Sequence, residues 1–264
     1  MPVCDARGKR IYYEVSGEGP ALVLLHPGPF DHSVWVYQIA HFSTWFKVIA
    51  IDMRGHGRSE NDERPFEVAD QADDVIAVLR QEAAIPCVLA GVSFSAKVAV
   101  LLAADHPELF RAIVLVGGNS GIPSTRGHEK RNEQYLGEGV AAVMPGHLAD
   151  GTTKIFAASP LGRYLLGWFV ERASWISPMA KIQVSRTRTT TDLTPRLPGI
   201  RVPTLVMNGE FDNALPGGRR SAELIPGAVH KVLHGAGHAC CLEDPAAFDA
   251  SLIEFLSARG LMPG

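Results

Sequence analysis

Short runs of consecutive apolar, β-branched-rich residues alternate along this chain with longer stretches whose apolar positions recur every three or four residues. Runs of the first kind lie at 11–16, 21–26, 47–52, 87–92, 112–117, 203–208 and 229–233. These runs read as strand candidates. The stretches 68–83 (VADQADDVIAVLRQEA), 94–105 and 245–258 carry helical spacing and read as covering helices. Strand-helix alternation of this kind predicts an α/β fold, a mostly parallel β-sheet flanked by helices.

One region breaks the alternation. Between about 119 and 197 no clean strand-helix unit is found, and helices are expected near 128–136, 153–170 and 177–186, with Trp168, Phe169 and Trp175 among them. The pattern fits a mainly helical lid over one end of the sheet, the alternative being that these helices simply enlarge the core. The expected organisation is a core domain of residues 1–118 and 198–264 interrupted by a lid at 119–197.

Composition narrows the function classes. Of the 264 residues, 46% are hydrophobic and 20% charged, an ordinary globular balance that supplies a sizeable core. A formal net charge of −3 without long like-charge blocks offers no footprint for nucleic acid or an anionic membrane, so a small-molecule partner is expected. No stretch approaches the length of a membrane span, and the N-terminal MPVCDARGKRIYYE lacks the apolar core of a secretion signal. Cys4, Cys87, Cys240 and Cys241 show no CxxC spacing, which suits reduced thiols in a cytoplasmic protein. Cys240 and Cys241 read as buried inert thiols, or else as oxidant sensors. No HExxH or paired-cysteine spacing points to a metal, and Gly117-Gly118 lacks the spacing of a nucleotide loop, so neither metal nor cofactor is expected.

Candidate chemistry starts at Gly91-Val92-Ser93-Phe94-Ser95, where the strand CVLAGV runs into the helix FSAKVAVLLAAD. A serine at such a turn can project its hydroxyl from the strand end as a nucleophile, with the helix N-terminus behind it ready to stabilise negative charge. It can equally serve as the helix N-cap, for which serine is favoured. This segment alone leaves both open.

Five blocks in one order bring in a resemblance: LVLLHPGP at 22–29, VIAIDMRGHGRSE at 48–60, GVSFSA at 91–96, PTLVMNGEFDNALP at 203–216 and HGAGHACCLEDPAAF at 234–248. Together they resemble the α/β-hydrolase fold family, and EGVAAVMP at 138–145 with TDLTPRLPGIRVPTLVMNGEFD at 191–212 is similar to its enol-lactonase and carboxylesterase branch. The resemblance implies Ser93 as nucleophile, His238 as general base and Asp212 as the acid that orients it. A serine hydroxyl needs an imidazole to take its proton, and the acid fixes the ring's tautomer. A rival acid just after 112–117 is missing, since Gly117-Gly118-Asn119 stands there. The implied oxyanion hole uses the N–H of Phe94 and that of Gly28, because Pro27 and Pro29 have none. His26, His56 and His234 are read as structural or solvated, and Asp52 as shaping a turn. Two positions depart from the family pattern: Pro27 replaces the glycine after His26, and Ser95 replaces the last glycine of the elbow.

The activity so implied is hydrolysis of a small carboxylic ester or lactone through an acyl-enzyme. Carbon–carbon bond hydrolysis and cofactor-free perhydrolysis are alternatives with the same triad, and a non-catalytic ligand receptor is a further one. Trp168 and Trp175 are candidates to line the substrate pocket. Arg172, Lys181, Arg186 and Arg188 could meet a substrate carboxylate, although a solvated helix face explains such charges more simply.

Overall fold

The computed structural model describes residues 2–61, 64–123 and 126–263, with Arg126 described by its backbone only. The expected core and lid boundaries thus include a few residues, Met1, Asp62, Glu63, Ser124, Thr125 and Gly264, that lie outside the described ones. The chain forms an eight-stranded sheet in the order β1-β2-β4-β3-β5-β6-β7-β8. The strands are β1 (Val3–Ala6), β2 (Lys9–Ser16), β3 (Ala21–Leu25), β4 (Lys47–Ile51), β5 (Cys87–Val92), β6 (Phe110–Val116), β7 (Thr204–Gly209) and β8 (Val229–Leu233). Only the β1–β2 and β2–β4 pairs are antiparallel; from β4 to β8 every pairing is parallel. β3, β5 and β7 are buried at every position, as their unbroken apolar runs require.

Alternate strand residues feed two separate cores. Leu89 and Ile113 face the helices α2 (Val68–Gln81) and α3 (Phe94–Asp105). Val88, Ala90 and Val114 face α1 (Val36–Phe42) and, at the C-terminus, α11 (Pro245–Ser257). Between β6 and β7 the chain runs through α4 (Arg126–Gly137), α5 (Val140–Asp150), α6 (Lys154–Ala158), α7 (Pro160–Glu171) and α8 (Pro178–Thr190). After β7 comes α9 (Leu215–Leu224), and α10 (Cys240–Glu243) precedes α11.

Several elements differ from the sequence expectation for identifiable reasons. The helix expected at 153–170 is two helices, α6 and α7, because Ser159 is extended before Pro160 and its hydroxyl accepts the N–H of Gly162 as an N-cap. α5 was not anticipated, and it contains Pro145. α9 was missed because Gly217 and Gly218 depress its helix propensity. The glycines are needed there: a Cβ on Gly218 would lie 2.0 Å from the Asn208 amide oxygen. β1 escaped notice because four residues of alternating burial carry little pattern. Among the described residues no helix is long and apolar enough to cross a membrane.

Candidate active site

Ser93 sits between β5 and α3 with φ 59° and ψ −115°, a conformation that L-residues adopt only under strain. Its N–H donates to Val116 O at 2.8 Å, tying the turn to the end of β6. The Ser93 side chain makes no capping hydrogen bond, which removes the helix-cap reading left open by the sequence. Gly91 makes the sharp turn possible, since a Cβ there would meet the backbone oxygen of Ser95 at 2.5 Å.

His238 and Asp212 arrive from the loops after β8 and β7, at the same end of the parallel strands. His238 Nδ1 lies 2.8 Å from Asp212 Oδ1. The same Asp212 oxygen accepts the N–H of Ala214 at 2.8 Å, and Oδ2 accepts from the side-chain amide of Asn208 at 3.1 Å. Burial pushes the Asp212 carboxyl up, but His238, the Ala214 N–H and Asn208 together outweigh it and hold the group below the usual carboxylate range. An ionised Asp212 can accept the Nδ1–H of His238. Gly117, at φ 55°, lets the chain pass beneath this pair; a Cβ there would lie 3.0 Å from His238 and 3.1 Å from Asp212 Oδ2.

Ser93, His238 and Asp212 line one cavity of about 520 Å³, within the usual range for small-molecule sites. Gly28 and Phe94, the two N–H donors read from the sequence, line it too. Phe94 opens α3, where a first-turn N–H has no intrahelical acceptor. Ser95, the departure from the elbow glycine, donates its hydroxyl to His26 O at 2.6 Å and thereby ties the Gly28 loop to the elbow. His26 is buried and neutral: Nδ1–H donates to Pro27 O, Nε2 accepts the N–H of Met53 at 3.0 Å, and burial lowers its pKa. Asp52 accepts the backbone N–H groups of His32 and Arg58, which holds the 53–59 turn. His234 is exposed beside Glu210. Cys240 and Cys241 are fully buried, and burial raises both thiols, so neither is a ready nucleophile.

The rest of the lining differs from what was expected. Neither Trp168 nor Trp175 is among the cavity-lining residues. Trp168 packs its ring against Tyr164, and Trp175, 41% exposed, lies under the Arg172 guanidinium. Bulky aromatics on the helical segment suggested a pocket, but these two are not part of its lining. Of the four helical cations, Arg172 pairs with Asp31 at 3.2 Å and Arg186 with Glu67 at 2.9 Å. Lys181 and Arg188 do line the cavity, with Arg131, Tyr135 and His147. Asn208, which positions Asp212, was not anticipated; a polar residue ending the apolar run TLVMN was the available signal.

With the geometry in place, the chain can be set against known proteins. The enol-lactonase from Burkholderia xenovorans LB400 superposes with a TM-score of 0.91 at 27% identity, covering 97% of this chain and 100% of that one. Est816, described as an N-acyl homoserine lactone degrading enzyme, superposes with a TM-score of 0.82 at 28% identity, covering 96% of this chain and 100% of that one. A non-heme chloroperoxidase of Kitasatospora aureofaciens is 28% identical over 97% of this chain and 100% of its own length. Residues 22–250 match the model of the alpha/beta hydrolase family, and the chain belongs to that family of hydrolases.

Proposed function

We propose that this protein is a serine hydrolase that cleaves a small carboxylic ester or lactone through an acyl-enzyme on Ser93, with residues 119–197 acting as a lid. The observation that carries the proposal is the strained Ser93 elbow, with its hydroxyl unused as a cap, in one cavity with a His238 whose Nδ1 is held by an ionised Asp212. The two lactone-directed relatives favour an ester or lactone over other bonds.

In this mechanism His238 Nε2 takes the Ser93 proton as Oγ attacks the substrate carbonyl. The N–H groups of Gly28 and Phe94 receive the oxyanion. Collapse expels the leaving alkoxide, which takes the proton from His238. A water then gives its proton to His238 and attacks the acyl carbon, the acid leaves, and Ser93 regains its hydrogen. Asp212 keeps its negative charge throughout and stabilises the imidazolium. Hydrogen peroxide in place of that water would give a peracid, a second reading favoured by the similarity to the Kitasatospora chloroperoxidase.

The test is turnover of 4-nitrophenyl esters and small lactones by the wild-type protein and by Ser93→Ala. Hydrolysis that falls by about 10⁶-fold in the variant is expected, on the scale found for nucleophile removal in serine hydrolases. Turnover that survives Ser93→Ala would exclude the acyl-enzyme.

A further inference from the structure

The cavity wall opposite the sheet carries two cations, Lys181 and Arg188, that make no ion pair among the described residues. Lys181 is only 4% exposed, yet among the described residues no carbonyl, carboxylate or hydroxyl accepts from its ammonium. Its Nζ lies over the Tyr135 ring, 5.9 Å from the centroid. Arg188, seven residues on and therefore on the same face of α8, likewise has no hydrogen bond or ion pair for its guanidinium among the described residues. It feels Asp212, but that carboxylate is occupied by His238, Asn208 and Ala214. Asp150, the other acid on the wall, is bound by Arg131.

The histidines nearby supply no countercharge. His147 is kept neutral by burial and by Lys181, Arg131 and Arg188 together, and its Nδ1 is hydrogen-bonded to the Tyr135 hydroxyl. Burial and the same arginines push His128 down to about 4. His56 is buried, neutral and unpartnered at Nε2, which lies within 3.7 Å of where a Cβ on Gly28 would sit. The Lys181 ammonium occupies the same side of Gly28, 2.8 Å from that position.

A buried cation without an acceptor is costly unless a ligand completes it. We infer that Lys181 and Arg188 form an anion-recognition wall, and that the substrate of Ser93 carries a free carboxylate on its acyl part which these two side chains receive. Lys181 stands beside the Gly28 loop, so this carboxylate lies within a few atoms of the reacting carbonyl. Arg188 offers a planar fork suited to bidentate contact with a carboxylate. The position of α8 is itself fixed: Lys97 of α3 donates to Arg188 O at 2.8 Å and to Thr191 O at 2.5 Å, closing the helix end. The backbone that carries Arg188 is thus anchored to α3. Burial, then Arg188 and Arg131, pull Lys181 down to about 7, the behaviour of an ammonium that lacks its anion.

The inference rests on the hydrolase reading for its reaction but not for its binding, and the experiment separates the two. Glutarate and neutral glutaramide are titrated calorimetrically into wild-type protein at pH 6.5, and hydrolysis of 4-nitrophenyl hydrogen glutarate is compared with that of 4-nitrophenyl pentanoate. Glutarate is expected to bind at least tenfold more tightly than glutaramide, and the acid ester to be preferred at least tenfold through KM. Lys181→Met and Arg188→Met should each reduce both preferences about tenfold, while Lys181→Arg and Arg188→Lys should retain most of them. Failure of glutarate to outbind glutaramide overturns the inference whether or not esters are cleaved. Equal loss of kcat on both esters in Lys181→Met, with the preference intact, overturns it as well, because Lys181 would then act on the oxyanion. Selective glutarate binding without turnover of either ester would leave the anion wall standing and count against the hydrolase reading instead.

Discussion

On the sheet side of the cavity Asp212 accepts three hydrogen bonds, His238 is oriented by one of them, and Ser93 is pinned through its own N–H. On the helical side Lys181 and Arg188 face the same space with no acceptor among the described residues. The first wall is complete without a ligand, as groups that must act in a fixed geometry need to be. The second is incomplete, as a wall whose partner arrives in solution must be. Chemistry and specificity are therefore assigned to different elements: strand ends for the first, α8 for the second.

The sharpest way to break that division is at the acid. Asp212→Asn keeps the shape but removes the charge and permits the wrong His238 tautomer, so kcat should fall about 10⁴-fold with KM little changed. Steady-state kinetics on a neutral ester check this; a loss under tenfold would mean that the satisfied wall is structural.

A second test works through the backbone. Gly117→Ala forces a side chain into a left-handed conformation and into the His238–Asp212 pair. Activity should drop about 100-fold, as expected for a displacement near 1 Å, with a stability loss of roughly 1–2 kcal/mol. Chemical denaturation and kinetics measured together show whether activity falls further than stability explains.

The helical wall makes a smaller prediction with a definite sign. Lys181 has a folded pKa of about 7 against an ordinary 10.5. Between those values the unfolded chain holds a proton that the folded one has released, so wild-type stability gains as pH rises from 7 towards 10. Lys181→Met lacks this gain. The variant should melt above wild type at pH 6 to 7, by several degrees, and the gap should close near pH 10. A gap that does not change with pH would show that Lys181 is not destabilised by burial.

The centre of the sheet was readable because β3, β5 and β7 are buried on both faces and appear as apolar runs. Ser93 directly follows the buried run of β5, whereas Asp212 and His238 were read from the resemblance of their loops, NGEFD and GAGH, three and five residues beyond β7 and β8. The break between α6 and α7 was also present in the sequence, at Ser159-Pro160, but amphipathic spacing on either side masked it. The anion wall was hidden by its neighbours. Lys181, Arg186 and Arg188 all lie on α8, and only helical geometry separates them: at about 100° per residue, Arg188 falls within about 20° of Lys181 while Arg186 is about 140° away. Arg186 accordingly reaches out to Glu67 and the Phe66 carbonyl. Trp168 and Trp175 were misleading because size and apolarity do not reveal which way a helix faces.

Activation of Ser93 by His238 is read out by a fluorophosphonate probe on the folded protein, with the modified peptide identified by mass spectrometry. A single adduct on Ser93 is expected, forming much more slowly in Asp212→Asn. A folded wild-type protein that stays unlabelled, or that is labelled at another residue, would contradict it.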